Sequence, residues 1–285
     1  MSLRYAYNTN GTGRHRLDDA LVLVSEAGYD GVALTLDHHH FDPFAEDWER
    51  RAEALRRRLD ELGLASVVET GAHFLLDFRH KHEPTLISAA AEGRARRLAY
   101  LRRATDIAAI IGSEALTFWS GVLKPGVGRS DATGWLEEGT LEAVAYMRGR
   151  GIVPAFEPEP EMMVSTVDDY ADLARAVPGV QLALDLGHVL VTGEREPDAA
   201  VLEFGDRLAT VHIEDMKRGR HEHLAFGDGD MDVGASLAAL RTVGFAGLVC
   251  VELSRDSFRA DTMIAQARRQ LAAYERELVA QPSRV

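Results

Sequence analysis

The chain has little cysteine, no long apolar runs and a shortage of positive charge. Its 285 residues include one cysteine, Cys250, so no intramolecular disulfide can form. Inside an apolar stretch that thiol reads as a small core residue. No run reaches 18 apolar residues, which argues against a membrane-crossing helix. The opening MSLRYAYNTNG lacks the apolar segment of a signal peptide. These absences predict a cytoplasmic protein with no membrane partner. Lys and Arg number 32 against 45 Asp and Glu, and a net charge of -13 opposes a nucleic-acid partner. The basic clusters Arg50-Arg51 and Arg56-Arg57-Arg58 lie among acidic neighbours on helical stretches and read as solvated faces. The 46% hydrophobic content is enough for a sizeable core, and the length suits one α/β barrel. We expect a single domain over 1–285, with 279–285 as a frayed tail.

Short β-branched runs alternate with helical spacing along the whole chain. Strands are expected at 4–8, 31–36, 66–70, 115–119, 153–156, 180–184, 208–212 and 248–252. Helices are expected at 17–27, 48–62, 94–111, 135–150, 166–177, 197–204, 232–243 and 261–278, with Thr166 as an N-cap. Gly28, Gly63, Gly112, Gly151, Gly179, Gly205 and Gly244 each fall just before a strand, where a left-handed residue often ends a helix. The stretch 71–92 is too apolar for a disordered linker and reads as an ordered loop over an active site; 124–134 reads as a mobile loop. A doubly wound sheet would carry a Gly-rich phosphate turn after its first strand. Here NTNGTGRHRL supplies Gly11 and Gly13 without a third glycine, so it reads as a plain flexible loop. The fold class is therefore α/β, a (β/α)8 TIM barrel.

Four of these strands end in residues that bind hard metal ions: FEPEP at Glu157, LDLGH at Asp185, VHIED at His212 and CVELS at Glu252. In such a barrel, functional groups gather at the C-terminal strand ends, where Asn8, Asp37, Glu69 and Trp119 also fall. Three carboxylates crowded together without a cation repel one another, and a divalent ion relieves that conflict. In the competing reading each carboxylate serves a helix N-terminus or a nearby arginine. The donor set is mostly oxygen, which favours Mn or Mg, with Co or Zn as alternatives. One ion could hold two substrate oxygens and stabilise an enediolate, with Glu157 and Glu252 as base and acid. Tyr7, Phe74 and Trp119 are expected near the mouth. Trp119 either packs on the C–H face of a sugar or fills the upper layer of the barrel. The triplet His38-His39-His40 reads as a polar loop.

These motifs resemble the xylose isomerase-like barrel superfamily, within it the sugar isomerase and epimerase branch related to ketose 3-epimerases. The resemblance covers nearly the whole chain and extends through HLAFGDGDMD (223–232), similar to the family's Gly-rich segment before the seventh helix. It implies that Glu157, Asp185, His212 and Glu252 bind one divalent metal ion and that the two glutamates also shuttle the proton. It further implies substrate contacts from His188 and from Arg218, with Lys217 competing for the latter role. The superfamily also contains metal-dependent apurinic endonucleases with three zinc ions. His221 and His223 stand where that branch places an Asp and a His ligand, His188 matches another ligand, and His73 follows the third strand. His73, His188, His221 and His223 are therefore a candidate second metal set. The alternative for His221 and His223 is hydrogen bonding to substrate or loop, and His223 and Trp119 join the candidate substrate contacts. Phe118-Trp119-Ser120 stands where that branch needs a further histidine, and the acidic charge balance disfavours DNA.

The leading expectation is a metal-dependent isomerase or epimerase of a sugar, cyclitol or related hydroxy-ketone. The alternatives are a multi-zinc phosphodiesterase resembling the apurinic endonucleases, or a dehydratase on the same scaffold. A non-catalytic binding protein would be expected to lack one acid/base glutamate, whereas both are present. The expected partner is a small polyhydroxylated substrate; the resemblance also allows a homo-oligomer, a dimer or tetramer, but no exposed stripe in the sequence singles out an interface.

Overall fold

The structure, a computed structural model, describes residues 2–280. Among them, strands β1 (Arg4–Asn8), β2 (Gly31–Thr35), β3 (Ala65–Glu69), β4 (Ala115–Phe118), β5 (Val153–Phe156), β6 (Gln181–Asp185) and β7 (Leu208–Ile213) line up side by side in chain order. After the hairpin β8 (Asp215–Lys217) and β9 (Arg220–Leu224), strand β10 (Leu248–Val251) pairs with both β7 and β1, and the eight barrel strands close into a parallel ring. The expected (β/α)8 TIM barrel is what the chain forms. All five residues of β2 are buried, as both faces of such a ring are covered. The inside is lined by small residues, with Ala6, Ala33, Ala155, Ala183 and Cys250 in one buried cluster. Their neighbours along each strand point outward to the helices, following the period-two alternation.

The helices are α1 (Leu17–Glu26), α2 (Trp48–Leu62), α3 (Ala91–Ile111), α4 (Arg129–Gly149), α5 (Val167–Ala176), α6 (Leu186–Thr192), α7 (Pro197–Phe204), α8 (Val233–Thr242) and α9 (Ala260–Ala280). Thr166 caps α5 through a complete capping box with Asp169. Gly112 ends α3 at φ 74°, as expected of a left-handed stop.

Several expectations need correction. Helix α4 starts at Arg129, so it takes in half of the stretch read as a loop; Asp131 lies in its first turn and Gly134 is tolerated inside it. Gly205 is right-handed, with φ -54°, and opens a short 3-10 turn; a Cβ there would come within 2.7 Å of Val243, so close packing explains the glycine. NTNGTG folds into a 3-10 turn (Thr9–Thr12) with Thr9, Gly11 and Thr12 buried. Helix α6 and the β8–β9 hairpin were not expected. Of the tail 279–285, Val279 and Ala280 complete α9 and the remainder lies outside the described residues.

Candidate active site

A cavity of about 330 Å³ opens at the C-terminal mouth of the ring, a size suited to a small molecule. A larger cleft, about 550 Å³, lies elsewhere against Arg148, Gly179 and Arg207 and touches none of the candidate residues. The floor of the mouth cavity is built from strand ends: Glu69, Glu157 and Glu252 line it, and Asp185 and His212 are buried behind that lining. Asp185 and His212 are register partners across β6 and β7, Cys250 pairs with His212 across β10 and β7, and Glu252 stands two residues beyond Cys250. His212 places Nδ1 3.2 Å from Glu157 Oε1 and 3.7 Å from Glu252 Oε2. Ligand atoms of Asp185, His212 and Glu252 lie within 4.8 Å of one another, as do those of Glu157, Asp185 and His188. Oδ1 of Asp185 accepts the His188 backbone N–H at 2.9 Å, while its buried Oδ2 receives no hydrogen bond among the described residues. A buried carboxylate oxygen without a donor is costly unless a cation reaches it. The set thus fits a divalent ion.

Further groups reach this floor: Glu69 and Asn8, which the sequence places at strand ends, and Asn10, Glu159 and Glu214, which it does not single out. Glu69 at the end of β3 lies 3.1 Å from His212 Nε2 and accepts the Thr117 hydroxyl. Glu159 approaches His188 Nδ1 at 3.9 Å and His221 Nε2 at 3.8 Å. Glu214 is fully buried, and neither of its oxygens receives a hydrogen bond among the described residues. Asn8 and Asn10 both donate to Glu252. A signal was available for two of them: Glu157 and Glu159, like His212 and Glu214, sit two apart and share a side of extended chain.

Burial shapes the charge of the floor. It lifts the Glu157 carboxyl to about 7 against the pull of His212. It lifts Glu159 and Glu214 well above the usual carboxylate range, helped by neighbouring carboxylates. Burial would also raise Asp185 and Glu252, but nearby histidines outweigh it, holding Asp185 at about 2 and Glu252 below its ordinary value. For the imidazoles burial works the other way and pushes His188 down to about 4. His212 overcomes burial through Glu69 and Glu157 and ends well above its ordinary value. His223 does the same through Glu252 and Glu214 and reaches about 10. Without a cation, then, the floor keeps protons among its acids and imidazoles.

The walls sort the other candidates. Trp119, His188, His221 and His223 line the cavity, and His73 stands on its rim. Atoms of His188, His221 and His223 lie within 4.8 Å of one another, with His188 Nε2 and His221 Nε2 3.1 Å apart. His73 is not part of that group; it faces Asp37 at 3.7 Å and stacks near His82. Arg218 and Lys217 are not in the cavity wall. The β8–β9 hairpin turns at Arg218-Gly219, and exposed Arg218 donates to Glu196 at 2.7 Å. Cationic groups on the wall are instead Lys81 and Arg255, the latter paired with Glu222 at 3.0 Å. Tyr7 is wholly buried beneath Gly11, and Phe74 lines an adjoining cleft with Asp37 and His40. Of the His38-His39-His40 triplet, only His40 is buried, 3.2 Å from the His15 carbonyl.

A sequence profile described as the xylose isomerase-like TIM barrel matches residues 21–276. The chain belongs to this family. Among solved structures it resembles a D-tagatose 3-epimerase-like protein at 16% identity and TM-score 0.79, over 99% of this chain and 100% of that one. It resembles the IolI protein, solved with a bound zinc atom, at 17% identity and TM-score 0.77, over 95% and 98% of the two chains. It also resembles the D-allulose 3-epimerase of Methylomonas sp. in complex with D-allulose, at 19% identity and TM-score 0.73, over 95% and 97%. At such identities the likeness is one of fold. No curated protein matches the sequence. Among the described residues, no helix is long and apolar enough to cross a membrane.

Proposed function

We propose that the protein is a divalent-metal-dependent isomerase or epimerase acting on a sugar, cyclitol or related hydroxy-ketone. The observation that carries this reading is the placement of Glu157 and Glu252 around one imidazole nitrogen, 3.2 Å and 3.7 Å from His212 Nδ1. Glu157, Asp185, His212 and Glu252 would hold the ion. When bound, a divalent cation draws electron density from vicinal substrate oxygens and makes the adjoining C–H more acidic. One glutamate takes that proton and the other returns a proton, so the substrate gains and loses one each. His188 and His223 offer ring nitrogens to hydroxyl groups, and Trp119 offers an apolar wall that excludes water. Family membership supports the reading, as do structural relatives named as 3-epimerases of tagatose and allulose type and one solved with zinc.

The test is deuterium incorporation from heavy water into a panel of ketoses and cyclitol ketones, followed by NMR with Mn, Mg, Co or Zn supplied. Glu157→Gln and Glu252→Gln are each expected to abolish exchange, and His188→Ala to raise KM. Exchange that persists in both glutamine variants rejects the two-carboxylate mechanism. The close approach of His188, His221 and His223 favours one second reading, a multi-zinc hydrolase of phosphodiesters. A metal count separates the two: one tightly held ion per chain supports proton transfer, and three support phosphate chemistry. Loss of a hydroxyl after the same proton abstraction would make the enzyme a dehydratase, and the NMR spectra of the products distinguish that outcome.

A further inference from the structure

We propose that Asn10 is a positioning residue for Glu252, delivered by the buried turn that follows β1. The proposal rests on the reading of Glu252 as an acid/base and metal-binding group. Asn10 Nδ2 donates to Glu252 Oε1 at 2.7 Å, and Asn8 Nδ2 donates to Oε2 at 3.3 Å. Each carboxyl oxygen is thereby engaged by a separate amide, which fixes both the plane of the group and its rotation about the last side-chain bond. Glu157 has no such pair and meets His212 through one oxygen.

The turn is built to hold that geometry. Asn8 Oδ1 accepts the Asn10 backbone N–H at 3.0 Å and the Thr35 hydroxyl at 2.9 Å. Thr9 Oγ1 accepts the Thr35 backbone N–H at 2.9 Å, and the Thr12 hydroxyl returns to the Thr9 carbonyl at 2.8 Å. Gly11 lies so close to the strand carrying Glu252 that a Cβ would stand 3.0 Å from the Leu253 carbonyl and 3.1 Å from the Tyr7 ring. The stretch that reads as a flexible loop in sequence is therefore locked to both neighbouring strand ends. Asn10 also lines the cavity beside Glu252, so the restraint acts where substrate would sit. A carboxylate that must meet a carbon-bound proton within a fraction of an ångström gains from such preorganisation.

The experiment compares the wild type with Asn10→Ala and Asn10→Ser, each loaded with Mn2+. In the deuterium-exchange assay Asn10→Ala is expected to lose about 10–100-fold in kcat with KM within about threefold, the usual size for removing a hydrogen-bond partner of a metal-site ligand. Asn10→Ser, whose hydroxyl can still donate, is expected to recover part of that loss. An unchanged kcat, or a loss confined to KM, overturns the proposal. A second arm is independent of turnover: Mn2+ affinity, read from the free-ion electron paramagnetic resonance signal. Asn10→Ala is expected to bind about tenfold more weakly, and equal affinity in variant and wild type overturns the proposal whether or not any sugar reacts. If the wild type exchanges no proton with any substrate, the proposed reaction fails and the Mn2+ arm alone judges Asn10. Asn10→Leu, similar in shape and without a donor, replaces alanine if that variant does not fold.

Discussion

His212 is the residue on which the site turns, because both of its ring nitrogens face carboxylates. Nδ1 faces Glu157, and Nε2 faces Glu69. An imidazole that ligates a metal through one nitrogen commonly gives its other N–H to a carboxylate, which fixes its tautomer and ring angle. If His212 holds the proposed ion through Nδ1, Glu69 has that place, and Thr117 holds Glu69 in turn. Glu69→Gln is expected to weaken Mn2+ binding by about 10–100-fold. Calorimetric titration checks this, and an unaltered affinity would remove Glu69 from the site. The four strand-end residues Glu157, Asp185, His212 and Glu252 were readable from sequence because each closes an apolar run, and period-two alternation then settles which way it points. Glu69 closes such a run too, but nothing in SVVET marks it as a partner of a residue 143 positions away. Arg218 was misplaced for a different reason. Counting six residues past His212 assumes an open loop, whereas the chain makes a tight hairpin there and carries the guanidinium out to Glu196.

The elements follow the sequence most closely where a local signal and the packing agree. Thr166 and Asp169 satisfy one another's backbone groups at the start of α5. Thr166→Ala is expected to cost about 1 kcal/mol of stability, seen as a lower midpoint in urea with an unchanged slope. An unshifted midpoint would mean that α5 is held by its buried face alone. The start of α4 escaped sequence reading because Gly126, Gly128 and Gly134 suggest a loop, and tertiary contacts override that weak propensity. Helix α6 escaped because its seven residues are nearly all apolar and buried, leaving no amphipathic period to detect. Asp185 starts it by accepting the His188 N–H, so the residue that ends β6 also caps the helix carrying a candidate substrate contact. The hairpin β8–β9 is three and five residues long, too short for alternation to stand out, yet it carries His221 and His223 to the cavity.

Across the whole molecule the barrel concentrates acidity at one mouth, and stability should depend on pH in a way that a metal ion reverses. Glu157 is lifted to about 7, above the ordinary carboxylate value, so its protonated form favours the metal-free fold. That contribution is complete below the unfolded value of 4.5 and is lost as pH rises through about 7. His212 is also raised, and its contribution likewise fades as pH rises through its folded value. Asp185, held at about 2, contributes stability that is fully present above its unfolded value of 3.8 and is lost only as pH falls toward 2, so it adds no slope at neutral pH. Below about pH 6.5 His188, lowered to about 4, acts in the opposite sense, so it is between pH 6.5 and pH 8 that the metal-free protein is expected to lose stability. A divalent ion replaces those protons, so its stabilising increment should grow with pH over the same range. At a hundredfold excess over Kd the increment is about 2.7 kcal/mol. Thermal melts with Mn2+ and with chelator check this, and an increment that is flat or shrinks toward pH 8 would contradict a metal seated among these groups.

The ring shuts where its earliest strand meets its latest, and that seam is also where Asn8 and Asn10 grip Glu252. The grip therefore cannot form on a half-made protein. As the chain emerges from the ribosome, Asn10 waits for a partner 242 residues downstream and Asn8 for one 244 downstream, and the mouth acquires its last acid only when the circle is complete. The finished form of the mouth is tied to closure, so a partly folded intermediate with an open seam would leave that glutamate unrestrained.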